Sequence, residues 1–295
     1  MGQASGKHGL VICMLVALAC GALRGVAAQV AALPEGQTMW SIEGAFREAT
    51  PTRERISMKG LWQWQPAGAG LDAVPTDGWG YVQVPGPWPG RRRSGGEPSF
   101  HPNPAWTQEQ LRDVTAAWYQ VEFAVPAEWA RRRVALTTEF LNSFATVYVD
   151  GQKVTDMRFP AGEVELTEVC RPGQKHVLSL LVLAMPLRAV MMSFSDSDAA
   201  KEVRGQVAMR GLCGDVCLVG TPHGARISNL RVETSVRNWQ ITFNAALDGV
   251  DPQASYSLHA QVKDGTAIVK EFTSRPFRGE DVKDGRISVA EAWHP

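Results

Sequence analysis

The chain has 295 residues, of which 44% are hydrophobic, and it carries 30 basic and 30 acidic side chains. This length suits about two domains of roughly 150 residues each, and the ten tryptophans indicate a filled core and exclude a disordered chain. A formal net charge of zero gives no basis for nucleic acid or an anionic membrane surface as a partner.

The first 28 residues are typical of a secretory signal peptide. Lys7 provides the basic start, an apolar run of about 14 residues follows, and small residues end the segment at Ala28. The apolar run is too short for a transmembrane helix. We therefore expect an exported chain, periplasmic or extracellular, that begins at Gln29 and has no membrane contact after cleavage. The alternative is a lipoprotein anchored through Cys20.

Strand patterns dominate the rest of the chain, and a clear one is WYQVEFAVP at residues 118–126. Tyr119, Val121 and Phe123 fall on one face, and Gln120 falls on the other. This period of two predicts a half-buried strand.

Two further segments predict paired strands. Residues 144–154 predict a hairpin around Asp150 and Gly151, because both central residues of a type I′ turn need positive φ. Residues 175–187 form a nearly continuous apolar run, which predicts a strand covered on both faces.

The short strands and turn residues together predict an all-β chain of two sandwiches. The first, residues 29–222, contains long insertions at Pro85–Pro104 and Met191–Met209, and such loops often serve a site or an interface. The second, residues 223–295, shows about five strands, whereas a full sandwich of its type needs about seven. We therefore expect this second sandwich to be truncated at Pro295, with part of its apolar face uncovered.

Six segments occur in an order that resembles a known family. They are MKGLWQWQPAG (Met58–Gly68), GWGYVQVPGPW (Gly78–Trp88), AWYQVEFAVPAEW (Ala117–Trp129), FLNSFATVYVDGQKV (Phe140–Val154), FPAGEVELTEVCRPGQKHVLSLLV (Phe159–Val182) and RGLCGDVCLVG (Arg210–Gly220). Over about 160 residues the series resembles the N-terminal half of glycoside hydrolase family 2, the group of β-galactosidases and β-glucuronidases. The chain departs from the family pattern at Glu165, His176 and Gly214, where many members carry Asp, Asn and Arg.

The resemblance implies a jelly-roll (galactose-binding-like) β-sandwich followed by a partial immunoglobulin-like β-sandwich. In the family a TIM barrel with the catalytic acids comes next and needs about 250 further residues, which this chain does not contain. Trp293 and Pro295 match the family's approach to that barrel. The implied function is the non-catalytic portion of an enzyme acting on β-linked glycosides; the alternative is a free-standing carbohydrate- or protein-binding module.

No catalytic residues are predicted. Retaining glycoside hydrolysis uses two carboxyl groups about 5–5.5 Å apart. In the family that the chain resembles, the acid/base is a Glu that follows an Asn, and none of the five Asn in this chain precedes a Glu. We expect the chain to be inactive alone, and the sequence contains no motif for a metal or cofactor.

Three cysteines remain after the signal peptide, namely Cys170, Cys213 and Cys217. On one strand, Cys213 and Cys217 would lie about 13 Å apart, too far for a disulfide or a shared metal ion. We expect buried free thiols; the alternative is a bridge from Cys170 to Cys213 or Cys217, which export permits.

Two loops hold the candidate polar contacts to carbohydrate. In galactosidases of the family, an Asn before Pro in a first loop and an Asp in a second reach from the jelly roll into the barrel's pocket. Asn103 matches the first position, in the segment Ser99–Trp106, and Asp196 or Asp198 matches the second.

Trp88 and Trp106 are the aromatic candidates, because sugar rings stack on aromatic faces. The alternative is that both tryptophans pack the edge of the sandwich and that Asp196 caps a turn. The expected partners are a β-glycoside or glycan and the missing catalytic barrel, and the resemblance also implies a homo-oligomer.

Overall fold

The computed structural model describes residues 30–68, 70–88, 100–107, 111, 114–185, 188–193, 201–206 and 209–293, with the backbone alone for 188–193 and 201–206. The predicted signal peptide, Asp196 and Asp198 lie outside the described residues. Within the described ranges, no helix has the length and apolar character needed to cross a membrane.

The described residues form twenty-three strands and three short 3-10 turns. The strands are β1 (Arg47–Ala49), β2 (Glu54–Ser57), β3 (Gly60–Pro66), β4 (Gly80–Val84), β5 (Phe100–His101), β6 (Ala116–Ala124), β7 (Arg132–Thr138), β8 (Leu141–Asn142), β9 (Phe144–Val149), β10 (Gln152–Arg158), β11 (Gly162–Glu165), β12 (Lys175–Leu183), β13 (Arg188–Ser193), β14 (Lys201–Gln206), β15 (Gly211–Leu212), β16 (Val216–Pro222), β17 (Arg226–Ser235), β18 (Gln240–Asp248), β19 (Ser255–Tyr256), β20 (His259–Asp264), β21 (Ala267–Thr273), β22 (Phe277–Arg278) and β23 (Arg286–Ala292). The turns are η1 (Ile42–Gly44), η2 (Ala127–Trp129) and η3 (Gly279–Asp281). The all-β class is therefore confirmed.

Twelve of the strands from β1 to β16 build the two sheets of the first sandwich, while β8 pairs with β15 and β13 with β14 in separate two-stranded sheets. One sheet has the order β1-β2-β16-β7-β11 and the other has the order β10-β9-β12-β6-β3-β4-β5. Side chains from both sheets form one continuous core that includes the fully buried Trp62, Trp64 and Trp129. Each fully buried aromatic side chain contributes about 1.5–3 kcal/mol through burial, so this core dominates the stability of the sandwich.

The strand predicted from WYQVEFAVP is confirmed as β6. Tyr119, Val121 and Phe123 are buried in the core, while Gln120 is partly exposed and Glu122 is exposed. The strand predicted from the apolar run is confirmed as β12, which is covered on both faces along most of its length.

The predicted hairpin is confirmed between β9 and β10. Asp150 and Gly151 adopt φ values of 49° and 79°, as a type I′ turn requires. The Asp150 carboxylate accepts a hydrogen bond from the Val177 N–H at 2.8 Å and lies 2.7 Å from the His176 Nδ1 atom. The turn is thereby fastened to the start of β12.

The Asp150 carboxylate gives a pH-dependent prediction. Burial raises the pKa of Asp150, but hydrogen bonds from His176 and Val177 outweigh it and leave the pKa below its ordinary value. A lowered folded-state pKa stabilises the fold above the unfolded-state pKa of about 3.9, and this contribution is lost as the pH falls through the folded-state value. We expect Asp150→Asn, which tolerates positive φ, to cost up to about 1 kcal/mol at about pH 5 and less at about pH 3. Denaturant unfolding at both pH values checks this; an equal cost at both would contradict it.

Two predicted features need correction. Residues Arg210–Gly220 were expected to form one strand, but they form β15 and β16, because the N–H groups of Cys213 and Gly214 both bond to the Phe140 carbonyl at 2.9 and 3.0 Å. The insertion Met191–Met209 is not loop throughout, since β13 pairs antiparallel with β14.

Strands β17 to β23 form a second group with sheets β17-β18-β23, β20-β21 and β19-β22. Four of the five predicted strands are present as single strands. The third, predicted over residues 254–264, is divided into β19 and β20, and β22 was not predicted, so the predicted count of five was too low. Ile241, Phe243 and Phe272 form a small core. The predicted boundary after residue 222 falls between β16 and β17.

The outer strand β17 carries exposed apolar residues. Ile227, Leu230 and Val232 are 52%, 52% and 48% exposed. They pair across β17 and β18 with Leu247, Ala245 and Phe243, so they lie on the face that carries the small core. Part of this inward apolar face is therefore uncovered among the described residues. The expected truncation was inferred from a count of five strands, which the structure corrects to seven, so the truncation itself stays a prediction.

Candidate carbohydrate-contact site

The first candidate site is the segment of residues 100–107, which we call the rim loop. Its first residues form β5, which pairs with β4 at one end of the sheet that also contains β6. Gly80 of β4 allows the loop to approach closely, since an added Cβ would lie 2.5 Å from the His101 carbonyl oxygen and 2.9 Å from the Asn103 nitrogen. A larger residue at Gly80 would push the loop away from the sheet.

Asn103 lies at the centre of the rim loop with 3% of its surface exposed. Its Nδ2 donates to the Trp79 carbonyl at 3.0 Å, and its Oδ1 accepts the Ala105 N–H at 2.9 Å. Its own carbonyl accepts the Trp106 N–H at 3.0 Å. The amide group of Asn103 therefore holds the loop in shape, and its predicted contact to sugar stays a prediction.

The bonds of Asn103 predict a cost for its removal. We expect Asn103→Ala to lower the free energy of unfolding by about 1–3 kcal/mol, because the Trp79 carbonyl and the Ala105 N–H lose a buried partner. Chemical denaturation measures the change, with the exposed Gln152→Ala as the control expected to stay within about 0.5 kcal/mol. A cost for Asn103→Ala no larger than that of the control would contradict the role of its side chain.

Trp106 belongs to an aromatic cluster beneath the rim loop. Its ring stacks on Phe100 with centroids 6.1 Å apart and meets the edge of Trp64 at 5.6 Å. Trp106 remains partly exposed, whereas Trp64 is fully buried. Of the two tryptophans predicted to contact sugar, Trp106 is the one with a more accessible surface.

Trp88 packs inside the edge of the sandwich with 4% of its surface exposed. Its indole N–H donates to the hydroxyl of Tyr119, and the guanidinium of Arg210 lies 5.6 Å from its ring centroid. Burial raises the pKa of Tyr119, so the hydroxyl stays protonated. These contacts agree with the packing alternative for Trp88; a direct sugar contact from it stays a prediction.

Asp196 and Asp198 are the predicted contacts from the second loop and lie outside the described residues. The strands that precede and follow them in sequence, β13 and β14, pair with Ser193 opposite Lys201. The described residues therefore do not test whether these carboxylates lie near Asn103, and their role stays a prediction.

The cysteines differ from expectation in two respects. Cys213 follows β15 while Cys217 lies on β16, so they do not share one strand, and Cys213 is only partly buried. All three are free thiols, and burial raises the pKa of Cys170 to about 12. Within the described part of the chain, no group of three or more His, Cys, Asp or Glu is placed to hold a metal ion.

A second polar site escaped the sequence analysis. A cavity of about 470 Å³ lies on the outward face of the sheet that contains β3, β6 and β12, and we call it the wedge cavity. Gln63, Gln120, Glu122, Lys175 and Glu43 are among its lining residues. The alternation in β6 placed Gln120 and Glu122 on the polar face, but a strand pattern does not distinguish a cavity wall from an open surface.

Comparison with known proteins gives structural matches alone: no family model matches the chain, and no curated protein does. The β-D-glucuronidase of Dictyoglomus thermophilum matches 79% of this chain with a TM-score of 0.53 and 16% identity. The Ruminococcus gnavus β-glucuronidase in complex with D-glucuronic acid matches 81% with a TM-score of 0.55 and 15% identity. The Bifidobacterium dentium β-glucuronidase complexed with coumarin-3-O-glucuronide matches 84% with a TM-score of 0.54 and 17% identity.

The matched region is a minor part of each enzyme, since the chain spans 38%, 41% and 43% of their respective lengths. At this level of identity the likeness establishes the fold. The resemblance to family 2 glycosidases seen in the sequence is confirmed at that level: the chain has the β-sandwich fold found in part of these β-glucuronidases.

Proposed function

We propose that the chain is the non-catalytic β-sandwich portion of a glycoside hydrolase acting on β-linked glycosides. The observation that carries this proposal is the match over about 80% of this chain but only about 40% of each β-glucuronidase. The complete enzyme would take a β-glucuronide or a related β-glycoside as substrate. Retaining chemistry needs two carboxyl groups about 5–5.5 Å apart. In the proposed enzyme this catalytic pair would lie on a barrel outside this chain.

The rim loop would form one wall of the sugar pocket. Asn103 fixes the loop through its bonds to the Trp79 carbonyl and the Ala105 N–H, which leaves Trp106 partly exposed at the edge of the sandwich. A rigid wall that carries an aromatic ring suits an apolar sugar face. Asp196 and Asp198 would add polar contacts from the neighbouring insertion.

A free-standing carbohydrate-binding module is the second candidate function. The wedge cavity favours it, because this cavity is built from the sandwich alone and carries amide, carboxylate and ammonium groups. Such a module would bind sugar without hydrolysing it and would need no barrel.

Sequencing the transcript beyond the Pro295 codon separates the two functions. The first predicts about 250 further codons that include a strand with Asn followed by Glu and a second Glu downstream. A stop codon directly after Pro295 would contradict the first function and favour the second.

We also propose that the chain is exported. Expression in a bacterial host followed by N-terminal sequencing is expected to give a mature protein that begins at Gln29. Mature protein that begins at Cys20 and incorporates labelled fatty acid would instead establish the lipoprotein alternative. A cytosolic chain that retains Met1 would contradict export.

A further inference from the structure

The wedge cavity exists because two neighbouring strands diverge. β3 pairs with β6 from Gln63 opposite Gln120 to Pro66 opposite Ala117, while β6 continues to Ala124. Beyond Gln63, β3 pairs instead with the N-terminal segment: Met39 bridges Leu61. The cavity of about 470 Å³ fills the resulting gap, a size typical of sites for small molecules.

Two glutamines form part of the cavity lining. Gln63 and Gln120 are direct cross-strand partners, and their sequence neighbours Trp62, Trp64 and Tyr119 point into the core, so both glutamines lie on the outward face. The Nε2 of Gln120 donates to the Ser179 hydroxyl at 3.0 Å. A primary amide donates and accepts at once, which matches sugar hydroxyl groups that also do both.

Charge in the cavity selects against anions. The Glu122 carboxylate lies 2.7 Å from the Lys175 ammonium, and Glu43 lines the same cavity. The pKa of Lys175 is raised, chiefly by Glu122 and to a smaller extent by Glu43. Among the lining residues, two carboxylates against one ammonium leave a net negative charge, which disfavours a carboxylate-bearing ligand such as a uronic acid relative to an uncharged one. Arg47 acts on Glu43 from outside the lining, and these side chains are exposed to solvent, so the effect is modest.

One wall of the cavity is apolar. Trp40 and Ile42 from the N-terminal segment and Val177 from β12 line it. Trp40 belongs to the core and is 7% exposed, with its indole N–H donating to the Ser57 carbonyl at 2.9 Å, so it adds only a small fixed part of this wall. An apolar wall facing amide and carboxylate groups suits a ring that has an apolar face and a hydroxylated edge.

We propose that the wedge cavity binds a neutral saccharide of one or two sugar units through Gln63, Gln120, Glu122 and Lys175. This site lies on the outward face of β3, β6 and β12, whereas the rim loop is attached to β4. Binding at this site requires no barrel, so the proposal is compatible with either proposed function.

Calorimetric titration of the mature chain with glucose, galactose, cellobiose, lactose and glucuronic acid tests the proposal. We expect millimolar or tighter binding of at least one neutral sugar and measurably weaker binding of glucuronic acid. The double variant Gln63→Ala, Gln120→Ala is expected to weaken binding of the neutral sugar at least about tenfold, because the amide hydrogen bonds are lost. Gln152→Ala is the matched control and is expected to bind as tightly as the parent chain, because Gln152 is exposed on β10 and lines neither the cavity nor the rim loop. Trp106→Ala is measured beside it, because a loss of binding there would place the sugar at the rim loop instead.

Further readouts keep the test decisive. Glu122→Gln removes one negative charge from the exposed edge of the cavity and is expected to reduce the difference in affinity between glucuronic acid and the neutral sugar. A denaturation midpoint close to that of the parent chain establishes that each variant is folded. The proposal is overturned if none of the neutral sugars binds at millimolar concentration, or if glucuronic acid binds as tightly as they do. It is also overturned if binding is lost in Trp106→Ala and retained in the glutamine variant. None of these outcomes bears on the transcript test above.

Discussion

Truncation of Trp64 to alanine is expected to lower the free energy of unfolding by about 3–5 kcal/mol. Trp64 is fully buried in the first sandwich. Its ring meets the rings of Phe100 and Trp106 at 5.6 Å and that of Trp88 at 6.3 Å, in edge-on contacts. Alanine would leave a void bounded by these rings and would remove the support beneath the rim loop.

Denaturant unfolding followed by circular dichroism measures this effect. Phe46→Ala is the control, because Phe46 is an aromatic residue of the same sandwich that is 74% exposed, and its loss is expected to cost within about 0.5 kcal/mol. A Trp64→Ala cost below about 1 kcal/mol would show that the site collapses without penalty and would contradict the packing described for the aromatic cluster.

Gly211→Ala is expected to destabilise the chain by about 2–5 kcal/mol, from backbone strain and overpacking together. Gly211 has a φ of 101°, which side-chain-bearing residues rarely adopt. An added Cβ would also press against the Tyr119 hydroxyl and the Trp88 indole nitrogen, two buried groups that bond to each other. Neither ring can withdraw without breaking that bond or opening the core.

Gly151→Ala separates the two causes. Gly151 also has a positive φ, 79°, but no atom lies within 4 Å of the position of its added Cβ. Its replacement is therefore expected to cost only the strain of about 1–2 kcal/mol. Equal costs at Gly211 and Gly151, measured by the same unfolding experiment, would show that the contact with Tyr119 and Trp88 adds nothing.

The elements predicted from the sequence are those whose evidence is local. Alternation identified β6, because a half-buried strand shows its period within a few residues. The pair Asp150-Gly151 identified the hairpin, since positive φ is a property of the turn itself. The continuous apolar run identified β12, because a strand covered on both faces needs apolar residues at successive positions.

Elements that depend on distant partners were missed. The break between β15 and β16 arises because the N–H groups of Cys213 and Gly214 bond to the Phe140 carbonyl, more than seventy residues earlier in the chain. Long-range pairing of this kind leaves little trace in a local pattern. The hairpin of β13 and β14 pairs locally, with Ser193 opposite Lys201, and it was missed because it lies in an insertion that the sequence suggested was loop.

The candidate sites also combine features that the sequence indicates locally with features that depend on distant residues. Asn103 was found through its resemblance to a family position, but its bond to the Trp79 carbonyl, 24 residues away, becomes visible only in the fold. The wedge cavity depends on the divergence of β3 and β6, which neither strand reveals alone. Gln63 and Gln120 have the same local pattern as any pair of polar residues on an outward face.

Hydrolysis by the purified mature chain tests most directly whether it is a carbohydrate-contact scaffold that lacks catalytic chemistry. The substrates are a chromogenic β-glucuronide and a chromogenic β-galactoside, with the Ruminococcus gnavus β-glucuronidase as positive control for the glucuronide and a β-galactosidase for the galactoside. We predict no release of chromophore above a mock preparation from a host strain that lacks both activities. Release that increases in proportion to the concentration of the chain, and that persists through a second purification step, would contradict this function.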